Sequence, residues 1–179
     1  QIAIAIDTGI IPAQLTHIFD SDKKNAESLL TKLKQKPTIV ENAHLLSSNH
    51  VDLVVEAASQ QAVSDNALSV LQNRRDLMIM SAGALLDESV FEIISDACKE
   101  FKKTVYLPSG AISGIDAIKS ARNELESVTI TTTKHPRSLK GAKFFETSEF
   151  DLDNISDETT IFEGTASEAV RLFPKNVNV

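Results

Sequence analysis

The 179-residue chain has one cysteine, Cys98, no tryptophan, and only 5% aromatic residues. A single thiol excludes an internal disulfide framework, and the expected compartment is a reducing cytoplasm. Positive charge is also short: 18 Lys and Arg stand against 25 Asp and Glu, for a net charge of -7. A surface of that sign releases no phosphate counterions, which argues against a nucleic-acid partner. The basic clusters "KLKQK" and "KHPRSLKGAK" read as solvated faces. No apolar run approaches the roughly 20 residues of a membrane span, so no membrane partner and no signal peptide are expected. Glycine is scarce too, with six in all, yet two of them fall in the short stretch "PSGAISG". That density of small residues suits a place where backbone comes close to a ligand.

What is present is an alternation of apolar runs and amphipathic segments. "AQLTHIFDSD" reads as a short strand ending on acids, and "DKKNAESLLTKLKQK" as a helix that Asp22 can cap. "TIV" is a brief strand. "VDLVVEAA" is a nearly continuous apolar run, the pattern of a strand buried on both faces. "SQQAVSDNALSVLQNRR" follows as a helix with Ser59 as N-cap and Ala62, Ala67, Val70 and Leu71 on one side. "DLMIMSAGALL" is another buried strand, "DESVFEIISDACKEFKK" a helix with charges that suit its dipole, and "TVYLP" the next strand. Strand and helix in this order imply right-handed crossovers and a doubly wound parallel α/β sheet over residues 1–108.

From residue 109 to 179 the texture changes to α+β, as expected for a second, smaller domain. "GIDAIKSARNEL" reads as a helix and "SVTITTTKHP" as a strand with one wet face. An acid-rich irregular excursion leads to a strand at "TTIFEG". "TASEAVRLFP" closes as a helix capped by Thr165 or Ser167 and stopped by Pro174.

In open parallel sheets ligands bind beyond the carboxyl ends of the strands. Four such ends here carry small or polar residues: "FDSD", "EAASQQ", "SAGA" and "PSGA". One shared crevice explains them better than four coincidences. Asp20 stands where a dinucleotide fold places the acid that accepts the adenosine ribose hydroxyls, a choice that leans toward NAD over NADP. A turn acid beside the next helix explains it equally well. Ala57 and Ala58 would form a wall open to close approach, and Ser81 and Gly83 another, although a well-capped helix and a simple turn also account for them. No G-x-G-x-x-G occurs. His17, His44, His50 and His135 have no partners at metal spacing, so no metal site and no catalytic histidine is nominated. Cys98 reads as a buried, inert thiol.

The motifs "VVEAASQQAV", "LMIMSAGAL", "VYLPSGAISGIDAI" and "FEGTASEAVRLFPKNVNV", in this order, resemble the L-aspartate dehydrogenase family. The resemblance implies a Rossmann-type domain, then a domain supporting homodimerisation and part of the active site. It implies oxidation of L-aspartate by NAD or NADP to iminoaspartate, hydrolysed to oxaloacetate and ammonia, which can supply NAD biosynthesis. It places Ala111 of "PSGA" at the cofactor, together with Asn176 or Asn178, the latter favoured; Ser109 and Gly110 of the same strand end are candidates beside it. "PSGAISG" would then be a hinge kept small so that the nicotinamide can reach the substrate Cα at roughly 3–3.5 Å. Relatives carry a glycine-rich loop before the position of Gln1 and a catalytic His beyond that of Val179, so the chain reads as cut at both ends. The acidic stretch around residues 144–160 reads as longer than the family needs. Alternatives within two-domain dehydrogenases are relatives of homoserine dehydrogenase or dihydrodipicolinate reductase. A non-catalytic NAD-sensing protein is the alternative outside enzymes.

Overall fold

The computed structural model describes residues 1–47, 51–110, 112–148 and 150–174. Helix α1 (Ile2–Asp7) closes at Thr8, and Gly9 at φ +79° turns the chain away. Strands β1 (His17–Ile18) and β2 (Thr38–Ile39) pair in parallel on either side of α2 (Lys23–Lys32) in the sequence. The Asp22 carboxylate accepts the Lys24 N–H and so starts α2, as its sequence predicts. Strands β3 (Leu53–Glu56), β4 (Asp76–Ile79) and β5 (Val105–Tyr106) form a second parallel sheet in that order. Between them run α3 (Gln60–Gln72), capped by Ser59, and α4 (Glu88–Phe101), capped by Asp87.

The core is built on one face of this second sheet. Val54, Leu77 and Ile79 meet Val63, Ala67, Val70 and Leu71 of α3 and Ile94 and Ala97 of α4. Leu71 and Ile79 are fully buried. The other face is partly open among the described residues: Leu53 and Val55 are 39% and 37% exposed. The expectation of a strand buried on both faces is therefore corrected for β3. Its residues are apolar on both sides, but α3 and α4 cover only one. A second difference is that the parallel sheet comes in two pieces, β1–β2 and β3–β4–β5, with no ladder joining them among the described residues.

Beyond Gly110 the helix expected at "GIDAIKSARNEL" forms as α5 (Ile115–Ala121). The strands expected at "SVTITTTKHP" and "TTIFEG" do not form. Alternation makes a segment able to pair, but the two segments face each other across a cavity with no backbone ladder between them among the described residues, and Val128 and Ile130 stay exposed. The acid-rich stretch expected to be irregular contains helix α6 (Phe144–Thr147), preceded by a 3₁₀ turn at Pro136–Leu139. Helix α7 (Ala166–Leu172) starts at Thr165, not Ser167. The Thr165 hydroxyl accepts the Glu168 N–H, and the Glu168 carboxylate accepts the Thr165 N–H.

Five of the eight phenylalanines hold this half together. Phe144 stacks on Phe173 at 5.3 Å between ring centroids and meets Phe145, Phe150 and Phe162 at 5.2, 6.2 and 6.1 Å. Aromatic residues are few in the chain, but they are concentrated here.

Four carboxylates anchor loops and caps, and each is held below its ordinary value. For Asp7 the main causes are the Lys34 and Gln35 N–H groups, which tie α1 to the turn after α2. For Asp76 the cause is chiefly the Thr104 N–H, with Lys103 at 3.1 Å assisting. The Ser89 hydroxyl does this for Asp87, and the Thr165 N–H for Glu168. A depressed folded value means these groups stabilise the fold above their ordinary values of 3.8 and 4.5 and stop doing so as pH falls through the folded ones. The expected result is a melting temperature that is flat down to about pH 5 and falls steadily below about pH 4.5. A profile that stays flat to pH 3 would contradict these anchors.

Candidate functional site

Because β3, β4 and β5 are parallel and in register, their carboxyl ends leave the sheet at one edge. Glu56 lies beside Ile79, and Met78 beside Tyr106. The segments after Glu56, Ile79 and Tyr106 therefore share that edge, as the sequence expectation of a common crevice requires.

Glu56 joins two of these ends. It shares the covered face with Val54, a place where an unpaired carboxylate would be costly. Its Oε1 accepts the Ala58 N–H at 2.7 Å, the Ser59 N–H at 2.9 Å and the Ser81 hydroxyl at 2.9 Å. Its Oε2 accepts the Ser81 N–H at 3.0 Å. Ser59 in turn accepts the Ala62 N–H at the start of α3. Ala57 and Ala58 are left exposed on the rim of this fixed turn, while the Ser81 hydroxyl points back at Glu56.

Gly83 lies in the 3₁₀ turn Ala82–Leu86, and the space where a side chain would stand is occupied. A Cβ there would come within 3.1 Å of Gln60 Nε2 and 3.3 Å of both Val170 methyl carbons. Gly83 thus lets α7 close against the end of β4. Gly110 differs: it takes φ +61° with nothing within 4 Å. Gly114, at φ +77°, begins α5 in the same left-handed region. The two glycines of "PSGAISG" serve backbone conformation at an exposed turn, in which the Ile112 N–H donates to the Ser109 carbonyl. Ala111, Asn176 and Asn178 lie outside the described residues.

Asp20 follows β1, in the two-stranded sheet. Its Oδ1 accepts the Asp22 N–H at 2.9 Å and the Asn25 side-chain amide at 3.3 Å, so it closes the turn before α2. Both contacts fall on one oxygen, and the residue is exposed. No hydrogen bond joins Asp20 to the β3 and β4 ends among the described residues.

The described histidines have local partners. His17 Nδ1 lies 3.0 Å from Thr16 Oγ1, His44 Nδ1 lies 3.1 Å from Ser69 Oγ, and His135 Nδ1 accepts the Arg137 N–H. His50 lies outside the described residues. Burial pushes the half-buried Cys98 thiol up, which disfavours the reactive thiolate. Among the described residues no group of three or more His, Cys, Asp or Glu could hold a metal, and no helix is long and apolar enough to cross a membrane. A cavity of about 800 Å³ lies between residues 128–136 and 152–166, with Ala169 and Phe173 also on its wall. The role of Glu56 is not apparent from motif reading. Its signal is a charged residue closing an apolar strand beside a helix N-terminus, a place where carboxylates find backbone donors.

Comparison with known proteins brings the two halves together. Residues 2–108 match the family described as "Homoserine dehydrogenase, NAD binding domain", and residues 116–179 match "Aspartate dehydrogenase, C-terminal". The chain belongs to the L-aspartate dehydrogenase family. Among its relatives, the L-aspartate dehydrogenase of Nitrosopumilus maritimus is 66% identical over 179 residues, and that of Methanocella arvoryzae 44% over 180. Each alignment takes in 100% of this chain and 66% of the relative, so the chain spans about two thirds of their length. The crystal structure of aspartate dehydrogenase from Thermotoga maritima superposes with a TM-score of 0.66 at 27% identity, covering 92% of this chain and 70% of that one. Biliverdin reductase from Synechocystis, at 16% identity and a TM-score of 0.54, covers 69% of this chain and 39% of its own. That likeness shows the fold alone. The fold is α/β with an NAD-binding domain, and the cofactor class is NAD or NADP.

Proposed function

We propose that the protein oxidises L-aspartate with NAD or NADP. The observation that carries this reading is the joining of an NAD-binding domain to an aspartate dehydrogenase C-terminal region in one chain. The first region alone is shared by name with homoserine dehydrogenase; the second separates the two readings. A bound nicotinamide would supply the acceptor for the hydride on the substrate Cα; loss of that hydride and of a proton from the nitrogen would give iminoaspartate. Water then replaces that nitrogen, releasing ammonia and oxaloacetate. In this reading the imine is available to NAD biosynthesis, and the enzyme is a cytoplasmic homodimer of two domains meeting near residue 109.

The residues fit a dinucleotide along the strand-end edge. Asp20 would accept the adenosine ribose hydroxyls, which favours NAD because its carboxylate repels a 2′-phosphate. Ala57 and Ala58 present small exposed side chains on a turn held rigid from behind. Ser81, Gly83, Ser109 and Gly110 would supply further walls, and the family resemblance adds Ala111 and Asn176 or Asn178, which lie outside the described residues.

The test follows NAD⁺ and NADP⁺ reduction by the whole protein with L-aspartate, L-homoserine and L-glutamate. Turnover with aspartate alone is expected. Turnover with homoserine would move the chain to the other dehydrogenase class. Cofactor binding without turnover on any of the three would favour a sensor.

A further inference from the structure

We infer that Glu56 is a positioning residue for the nicotinamide half of the cofactor, setting both the shape and the charge of the rim on which it docks. The inference rests on the proposed NAD(P)-dependent function. Four donors from three residues converge on one carboxylate, and they come from two different strand ends. Two of them, the Ala58 and Ser59 N–H groups, belong to the turn that opens α3. Free N–H groups at such a helix start attract phosphate. Here Glu56 takes the N–H of the N-cap Ser59 and that of Ala58 before it, and so sets a carboxylate against this helix start. A carboxylate there repels the diphosphate and leaves the β3 end to an uncharged part of the ligand. Asp20, at the end of β1, stands on the adenosine side in the dinucleotide-fold arrangement. The β3–β4 edge is then the nicotinamide side, and the Glu56 bonds hold Ala57, Ala58 and Ser81 in register there.

The variants follow from this geometry. Glu56→Gln keeps one acceptor oxygen but turns the other into a donor facing the Ser81 N–H or the Ser81 hydroxyl, and it removes the charge. Ser81→Ala removes one of the four bonds only. Ile79→Val thins the core directly behind the clamp without touching it.

The test measures dissociation constants for NAD⁺ and for ADP, well below the melting temperature of each variant. Glu56→Gln is expected to weaken NAD⁺ about tenfold and Ser81→Ala about threefold, while ADP stays within twofold in both. Ile79→Val is expected to leave both ligands within twofold. A residue that only stabilised the fold would move NAD⁺ and ADP together, or neither, and either result overturns the inference. If Glu56→Gln does not fold, the Ser81→Ala split between NAD⁺ and ADP decides. Wild-type protein that binds neither NAD⁺ nor NADP⁺ would overturn the proposed function, and this inference with it. Wild-type binding with an unchanged Glu56→Gln would overturn the inference alone.

Discussion

Replacing Phe173 with alanine is expected to destabilise the protein by about 3–5 kcal/mol. Phe173 is only 4% exposed and touches three other rings: Phe144 at 5.3 Å, Phe162 at 5.7 Å and Phe145 at 6.2 Å. Among the described residues past 110 the other buried hydrophobic residues are Ala142 and Val170, so little else nearby can close a ring-sized cavity. Aromatic pairs contribute roughly 0.5–1.5 kcal/mol each beyond the area they bury. The loss also reaches the strand-end edge, because α7, which ends at Phe173, is the helix whose Val170 packs on Gly83. Urea unfolding of Phe173→Ala beside Phe91→Ala is the measurement. Phe91 is 53% exposed on α4 and should cost about 1 kcal/mol or less. Equal losses at the two positions would mean that the aromatic cluster does not hold the second half together.

Ala58→Phe is expected to do the opposite: to leave stability within about 0.5 kcal/mol while raising the dissociation constant for NAD⁺ by about 100-fold. Ala58 is exposed, and it is not among the residues at positive φ, so a larger side chain meets no backbone strain. Its tie to Glu56 uses the backbone N–H, which the substitution keeps. What changes is the space above the rim, which a benzyl group would fill. Fluorescence titration with the cofactor, alongside a thermal melt, separates the two effects. Binding within twofold of wild type would show that the cofactor does not pass over this turn.

Much of the first half was legible because its signals are local. Asp22 and Ser59 cap helices where a side-chain oxygen precedes an amphipathic run, and the alternation of strand and helix implies parallel pairing. Whether both faces of β3 are covered was not legible. Apolar residues fill both sides of "LVVE", and only the placement of α3 and α4 decides which side is covered. The strands expected around Ile130 and Ile161 failed for a related reason: a strand depends on a partner that its own sequence does not contain. The phenylalanine cluster was missed because its members lie as far apart as Phe144 and Phe173 and share no periodicity.

At the site, the small residues of the strand ends were read from their type. The structure shows that small size serves different ends at each. Gly83 is small because α3 and α7 crowd it, whereas Gly110 is a glycine because its backbone is left-handed. Asp20 does close a turn, but this uses one oxygen and leaves the ribose reading standing as a proposal. Glu56 was the least legible, since four bonds from two strand ends appear only once β3 and β4 lie side by side.

The central claim is that a hydride leaves the Cα of L-aspartate for the nicotinamide. The most direct measurement supplies the whole protein with L-aspartate deuterated at Cα and NAD⁺ or NADP⁺, and analyses the reduced cofactor by mass spectrometry. The account predicts deuterium in the reduced nicotinamide, with oxaloacetate and ammonia formed in equal amounts. Deuterium retained in aspartate, or lost to water with no cofactor reduced, would contradict it.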